Sequence, residues 1–95
     1  MEGKATAEIT DDGKHVICRS ASGRVKWTRD RPSSKEWTLL AKHPVLVQPE
    51  EGLFQYVGDE IEGVIIAVFT PGRSMDFNLT YAVENGNLIA IHEAR

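Results

Sequence analysis

Residues 4–29 read KATAEITDDGKHVICRSASGRVKWTR and predict a three-stranded antiparallel meander. Two runs of alternating or β-branched residues flank Asp12-Gly13, a dipeptide that readily supplies positive φ at the corners of a two-residue hairpin. Because side chains alternate along a strand, this turn places small and apolar residues on one face, which we expect to point to the core. The cross-strand pairs it sets are Ile9 with Val16 and Ala7 with Cys18.

The second turn of the meander carries the strongest hint of function. With Ser22 and Gly23 at its corners, Cys18 faces Trp27, and Arg19 faces Lys26 on the other side of the sheet. Like charges directly opposite each other cost stability unless something anionic lies between them. A slip of this turn by one residue would exchange the two faces.

Charge is distributed unevenly along a chain whose net charge is −3. Residues 13–43 carry eight Lys and Arg against two acids, whereas residues 44–95 carry two Arg against eight acids. Such asymmetry is typical of a polar recognition surface. The alternative is that the two regions pair with each other across the fold and keep the surface soluble.

The segment after the meander predicts one short helix over residues 34–42. Ser33 and Glu36 have the spacing of a capping box, and Trp37 and Leu40 recur at helical spacing. A strand over residues 37–40 is the competing interpretation.

The second half of the chain predicts further short strands, over residues 45–48 and 53–57. The run 61–70 is apolar without alternation, which indicates the most buried, central strand. Asn85-Gly86 predicts a second two-residue hairpin that is apolar on both sides and needs cover from a barrel wall, the helix or a second subunit. In its register Leu79 faces His92 and Tyr81 faces Ala90. The reverse face is a candidate homodimer face: Ala82, Ile89 and Ile91.

Together these elements predict a mostly β fold in a single domain, residues 1–95. We expect a small curved antiparallel sheet or barrel-like domain of six or seven strands with one short helix near residues 34–42. No apolar run approaches the roughly 20 residues of a membrane span, and the N-terminal residues lack the apolar core of a secretory signal. The single Cys18 excludes an internal disulfide, so we expect a cytoplasmic location, in the protein's own cell or in a host cell.

Candidate catalytic and metal-ligating residues are scattered. His15, His43, His92 and Cys18 show no spacing of a catalytic or zinc site, so we expect no enzyme activity, metal or cofactor. Glu60 and Glu62 could act as paired carboxylates, although an acidic strand edge that opposes aggregation explains them equally well.

The sequence therefore favours a small binding module that occupies the surface of an acidic protein partner, as inhibitors, immunity proteins and adaptors do. The alternative is a small β-barrel that binds single-stranded nucleic acid through cations and stacked aromatics. The net negative charge and the expected inward positions of Trp27 and Trp37 favour a protein partner. The expected partner-binding residues are Arg19, Arg24, Lys26, Arg29 and Arg31.

Overall fold

The computed structural model describes residues 3–41, 48–72 and 75–94. Its elements in chain order are β1 Thr6–Ile9, β2 His15–Arg19, β3 Val25–Asp30, α1 Ser34–Leu40, a 3-10 helix Pro49–Glu51, β4 Leu53–Val57, β5 Val64–Thr70, β6 Phe77–Ala82 and β7 Leu88–Glu93. The strands form two antiparallel sheets, ordered β1-β2-β3 and β4-β5-β6-β7. The predicted mostly β fold of six or seven strands with one short helix is confirmed. The strands form two sheets instead of one, and within the described residues they do not close into a barrel.

Some predicted features lie outside the described residues. These are the position of His43 and most of the strand predicted over residues 45–48. The helix was predicted over residues 34–42 but ends at Leu40, since Ala41 is already extended with φ −76° and ψ 125°.

The first hairpin has the predicted register, with Ile9 opposite Val16 and Ala7 opposite Cys18. Its loop is wider than a two-residue turn, because the backbone N–H of Thr10 donates to the carbonyl of His15 at 3.1 Å. Gly13 adopts φ 73° within this loop, a conformation in which glycine avoids the steric cost of a side chain.

Helix α1 begins with the predicted capping box, so the competing strand over residues 37–40 is wrong. The backbone N–H of Glu36 donates to Ser33 Oγ at 3.1 Å, and the backbone N–H of Ser33 donates to Glu36 Oε1 at 3.2 Å. Trp37 is buried on the inner face of the helix and packs edge-on against Phe77 with ring centroids 4.9 Å apart. The helix thereby covers one end of the core between the two sheets.

Strand β5 lies inside the second sheet, between β4 and β6, as its apolar sequence predicted. Only one of its faces is buried, however: Ile65, Ala67 and Phe69 are fully buried, whereas Ile66 is 42% exposed. Strand β6 shows the same alternation, with Phe77, Leu79 and Tyr81 turned to the core. The strand is central, as predicted, but one face of this sheet is open to solvent.

The last hairpin differs from its predicted register. The backbone N–H of Ala82 donates to the carbonyl of Asn87 at 2.9 Å, so the loop is wider than Asn85-Gly86 alone. A register shift between Thr80 and Tyr81 then pairs Leu79 with Ile91 and Asn78 with His92. The wider loop reaches strand β3, where Trp27 Nε1 donates to the carbonyl of Val83 at 2.7 Å. This tertiary contact accompanies the one-residue displacement that the turn dipeptide did not predict.

The buried hydroxyl of Tyr81 provides a stability test of the core. This oxygen has no hydrogen-bond partner among the described residues, and burial raises the pKa of the hydroxyl. An unpaired buried polar group costs about 1–3 kcal/mol. Tyr81→Phe is therefore expected to leave the free energy of unfolding in urea unchanged or to raise it by about 1 kcal/mol. Tyr56→Phe, at a site 66% exposed, is the control. A clear loss of stability in Tyr81→Phe alone would contradict an unpaired hydroxyl.

Candidate functional site

The predicted like-charge pair is absent from the described first sheet. Strands β2 and β3 shift register after the Cys18–Trp27 pair, so Arg19 lies opposite Val25 and not Lys26. Arg19 is also neutralised locally, because its Nε donates to Glu8 Oε1 at 2.6 Å. The physical reason given for a cationic face that requires an anionic partner is therefore wrong.

Arg29 holds three elements together. Its guanidinium donates to Glu36 Oε2 at 2.7 Å and to the carbonyl of Gly86 at 2.9 Å, and it lies 5.5 Å from the centroid of the Tyr81 ring. These contacts join β3 to α1 and to the loop before β7. Arg29 therefore makes structural contacts within the domain, and little of its side chain is exposed to solvent.

The Arg29–Glu36 pair predicts a dependence of stability on pH. Burial acts to raise the pKa of Glu36, but hydrogen bonds from Arg29 and Ser33 outweigh it and hold the pKa below the usual value of 4.5. Since the folded-state pKa is the lower one, ionised Glu36 stabilises the fold above pH 4.5, and this contribution is lost as the pH falls through the folded-state pKa.

We expect Glu36→Gln to flatten the decline in unfolding free energy between about pH 5 and pH 3. Urea titrations at several pH values measure this slope, and Glu93→Gln on β7 is the control for removing one charge. An unchanged slope in Glu36→Gln would show that this pair does not govern the acid response.

Arg31 also makes internal contacts. Its guanidinium donates to the carbonyl of Gly52 at 3.4 Å, and its Nε lies 3.6 Å from Asp30 Oδ1. Of the five expected partner-binding residues, Arg24 and Lys26 remain exposed, and no carboxylate in the described part of the chain forms an ion pair with either. The structure thus does not bring the five cations together as one free surface.

Lys26 lines an open cavity of about 660 Å³. The cavity has charges of both signs, because Glu60 and Glu84 also line it. One oxygen of Glu60 is already occupied, since it accepts the backbone N–H of Ala5 at 3.0 Å. Its lining therefore indicates no single class of ligand.

The candidate catalytic residues are not assembled into a site. Cys18 is fully buried, and burial raises the pKa of its thiol, which opposes reactivity. His92 is exposed opposite Asn78, and not on the inner face with Leu79 and Tyr81 as its predicted register required. Among the described residues, no group of three or more His, Cys, Asp or Glu is arranged to hold a metal ion.

Glu60 and Glu62 do not lie on one strand face. They belong to the connection between β4 and β5, where Glu62 adopts φ 50° in the turn that precedes Val64. The predicted carboxylate pair therefore has no shared strand to orient it.

The largest feature that sequence reasoning missed is the solvent-facing side of β4–β7, here called the outer face. Its side chains form rows across neighbouring strands, because the residues are paired in register. The rows are Tyr56, Val68, Asn78 and His92; Ile66, Thr80 and Ala90; and Val64 with Ala82. The alternation in β6, FNLTYA, could have revealed this face, since Phe77, Leu79 and Tyr81 alternate with smaller or polar residues.

Large apolar side chains of the outer face and of the connection between β4 and β5 are exposed to solvent. Tyr56 is 66% exposed, Ile61 is 63% exposed and Ile66 is 42% exposed. All three line one shallow groove of about 260 Å³, together with Val64 and Val68 from β5. Single exposed apolar residues are common on proteins, but a contiguous group around a groove is typical of an interaction site.

The predicted dimer face is divided by the register shift. Ala82 does lie on the outer face, opposite Val64, and Ile89 is 50% exposed at the shift. Ile91 instead points inward, is 2% exposed and pairs with Ala41 next to the helix. Ile91 is therefore a core residue, and the three residues do not form one surface.

No protein-family model, no curated protein and no solved structure matches this chain. In residues 3–41, 48–72 and 75–94, no helix combines the length and apolar character needed to cross a membrane.

Proposed function

We propose that this domain is a non-catalytic binding module that occupies the surface of a protein partner, in the manner of an inhibitor, an immunity protein or an adaptor. The observation that carries the proposal is the cluster of Tyr56, Ile61 and Ile66, which are 66%, 63% and 42% exposed around one groove. The main contact is the outer face, and not the cationic strand face.

The energetic basis is the removal of apolar surface from water. Burial of apolar area contributes about 25 cal/mol per Å², and aromatic side chains in pockets often dominate the energy of an interface. Tyr56 combines a large ring with a hydroxyl that can bond to a partner, and β5 holds Ile66 on a regular strand. The outer face therefore offers a rigid apolar centre with a polar surround, as protein interfaces do.

A protein is favoured over single-stranded nucleic acid by the positions of the aromatic residues. Trp27 donates its indole N–H to the carbonyl of Val83, and Trp37 is buried on the inner face of helix α1. Neither ring is therefore free to stack on bases. Tyr56 is exposed, but the strands of its sheet and their described connections carry Asp and Glu and no Lys or Arg. Phosphate groups would be repelled there.

Arg24 and Lys26 supply a second, smaller contact to an acidic part of the same partner. Both are exposed at the end of the first sheet, next to the turn at Gly23. A cytoplasmic location is part of the proposal, because buried Cys18 is the chain's single cysteine and needs no oxidising compartment.

The proposal is tested by affinity capture from cell lysate, in which the immobilised wild-type domain and two immobilised variants are compared and the captured proteins are quantified. Ile66→Thr removes apolar surface from the outer face, and Val25→Thr makes the matched change on β3, where Val25 is 53% exposed. Threonine retains the β-branch in both, so folding should persist. We expect the wild-type domain to capture one protein in stoichiometric amount. Capture of this protein should be lost with the Ile66→Thr variant and retained with the Val25→Thr variant. The purified protein should then bind the purified wild-type domain directly. Equal capture by all three forms would contradict the proposal.

A further inference from the structure

We propose that the partner's contact region is an apolar protrusion flanked by lysine or arginine, an inference that rests on the proposed function of the outer face. The described residues of the second half of the chain carry formal charges of one sign. Residues 48–72 and 75–94 contain eight Asp and Glu and no Lys or Arg.

Two carboxylates are placed next to the groove. Asp59 lines it, and Glu62 follows Ile61, another lining residue, in the same connection between β4 and β5. Both are exposed, and neither forms an ion pair with a described residue. Glu60, between them, is instead engaged with the backbone of Ala5. Asp59 and Glu62 are thus available to accept hydrogen bonds from a partner's cations.

Charge complementarity selects among the occupants of the groove. A partner with Lys or Arg beside its apolar centre gains attraction to Asp59 and Glu62, whereas Asp or Glu at that place would be repelled. Arginine is especially suited, because its planar guanidinium bonds a carboxylate through two parallel N–H groups. A second copy packed face to face would bring the acidic surrounds of both outer faces together, so this arrangement is disfavoured.

The inference is tested by selecting a displayed library of random peptides on the immobilised wild-type domain. The winning peptides are then synthesised and their dissociation constants measured at low and high salt. Three variants are compared: Ile66→Thr removes the apolar contact, Asp59→Asn with Glu62→Gln removes the two charges, and Asp11→Asn with Glu51→Gln removes two exposed acids that do not line the groove.

We expect the winners to combine aromatic or aliphatic residues with Lys or Arg. Their affinity should fall by about tenfold in the Asp59–Glu62 variant and with added salt, but by less than about threefold in the Asp11–Glu51 variant. Peptides that lose binding with Ile66→Thr yet carry no positive charge, or ignore the loss of Asp59 and Glu62, would overturn the inference and leave the proposed function standing.

Two other results are decisive. If no winner is sensitive to Ile66→Thr, or none is obtained, the outer face is not the binding surface and both proposals are overturned. If light scattering shows a wild-type dimer that Ile66→Thr dissociates, a second copy occupies the groove, and the inference of a cationic partner is overturned.

Discussion

Gly52→Ala is expected to destabilise the domain by about 3 kcal/mol or more, because the added methyl group has no space. A Cβ at this position would lie 2.5 Å from the carbonyl oxygen of Thr70, 2.6 Å from the ring of Phe69 and 2.7 Å from Cα of Pro71. Two of these atoms belong to the backbone, and Phe69 is fully buried, so none can move aside without cost. The backbone φ at Gly52 is −79°, an ordinary value, so the expected loss comes from packing and not from backbone strain.

Gly58→Ala is the matched control. A Cβ there meets no atom within 4 Å, and Gly58 is not among the residues with positive φ. We expect no loss of stability, or a gain of about 0.4–1 kcal/mol from restricting the unfolded chain. Urea unfolding of both variants measures the difference. A Gly52→Ala domain within about 1 kcal/mol of wild type would show that β4 and β5 are not joined as closely as described.

Tyr56→Thr combined with Ile66→Thr is expected to weaken binding of the captured partner by about 100-fold or more, while the domain stays folded. Truncating a central aromatic or aliphatic anchor commonly costs 2 kcal/mol or more, and each 1.4 kcal/mol is about tenfold in the dissociation constant. Stability should change little, because both side chains point to solvent and threonine is favourable in strands.

Titration calorimetry or surface plasmon resonance with the purified partner measures this loss. Val25→Thr should bind as wild type does, since it alters an exposed apolar residue of the other sheet. A double variant that unfolds at the wild-type urea concentration and retains wild-type affinity would place the binding energy elsewhere on the molecule.

The local signals in the sequence predicted the local structure well. The capping box of Ser33 and Glu36 begins the helix, and the register of the first hairpin places Val16 and Cys18 in the core. These features depend on residues within a few positions of each other, so a short stretch of sequence is enough to predict them.

Features that depend on distant contacts could not be predicted in this way. The register shift that separates Arg19 from Lys26 and the shift that turns Ile91 inward each displace a strand by one residue. The wide loop before β7 forms with a contact to Trp27, 56 residues away from Val83 in the chain. A one-residue displacement exchanges strand faces, which is why the predictions of the cationic surface and of the dimer face failed.

The open side of β5 was missed for another reason. An uninterrupted apolar run is typical of a strand covered on both faces, yet Ile65 is fully buried and its neighbour Ile66 is 42% exposed. Apolar residues on a solvent face offer no polar alternation to mark it. In this protein the strand without polar alternation, β5, forms part of the surface for which we propose a function.

The adjacent residues Ile65 and Ile66 allow the central claim to be tested directly by methyl NMR. They lie on opposite faces of the same strand, so their methyl signals report separately on the core and on the outer face. Upon titration with the captured partner, we expect large shifts for the methyl groups of Ile66, Ile61 and Val68, and much smaller shifts for those of Ile65. Shifts confined to the region of Arg24 and Lys26, with Ile66 unchanged at saturation, would contradict binding through the outer face.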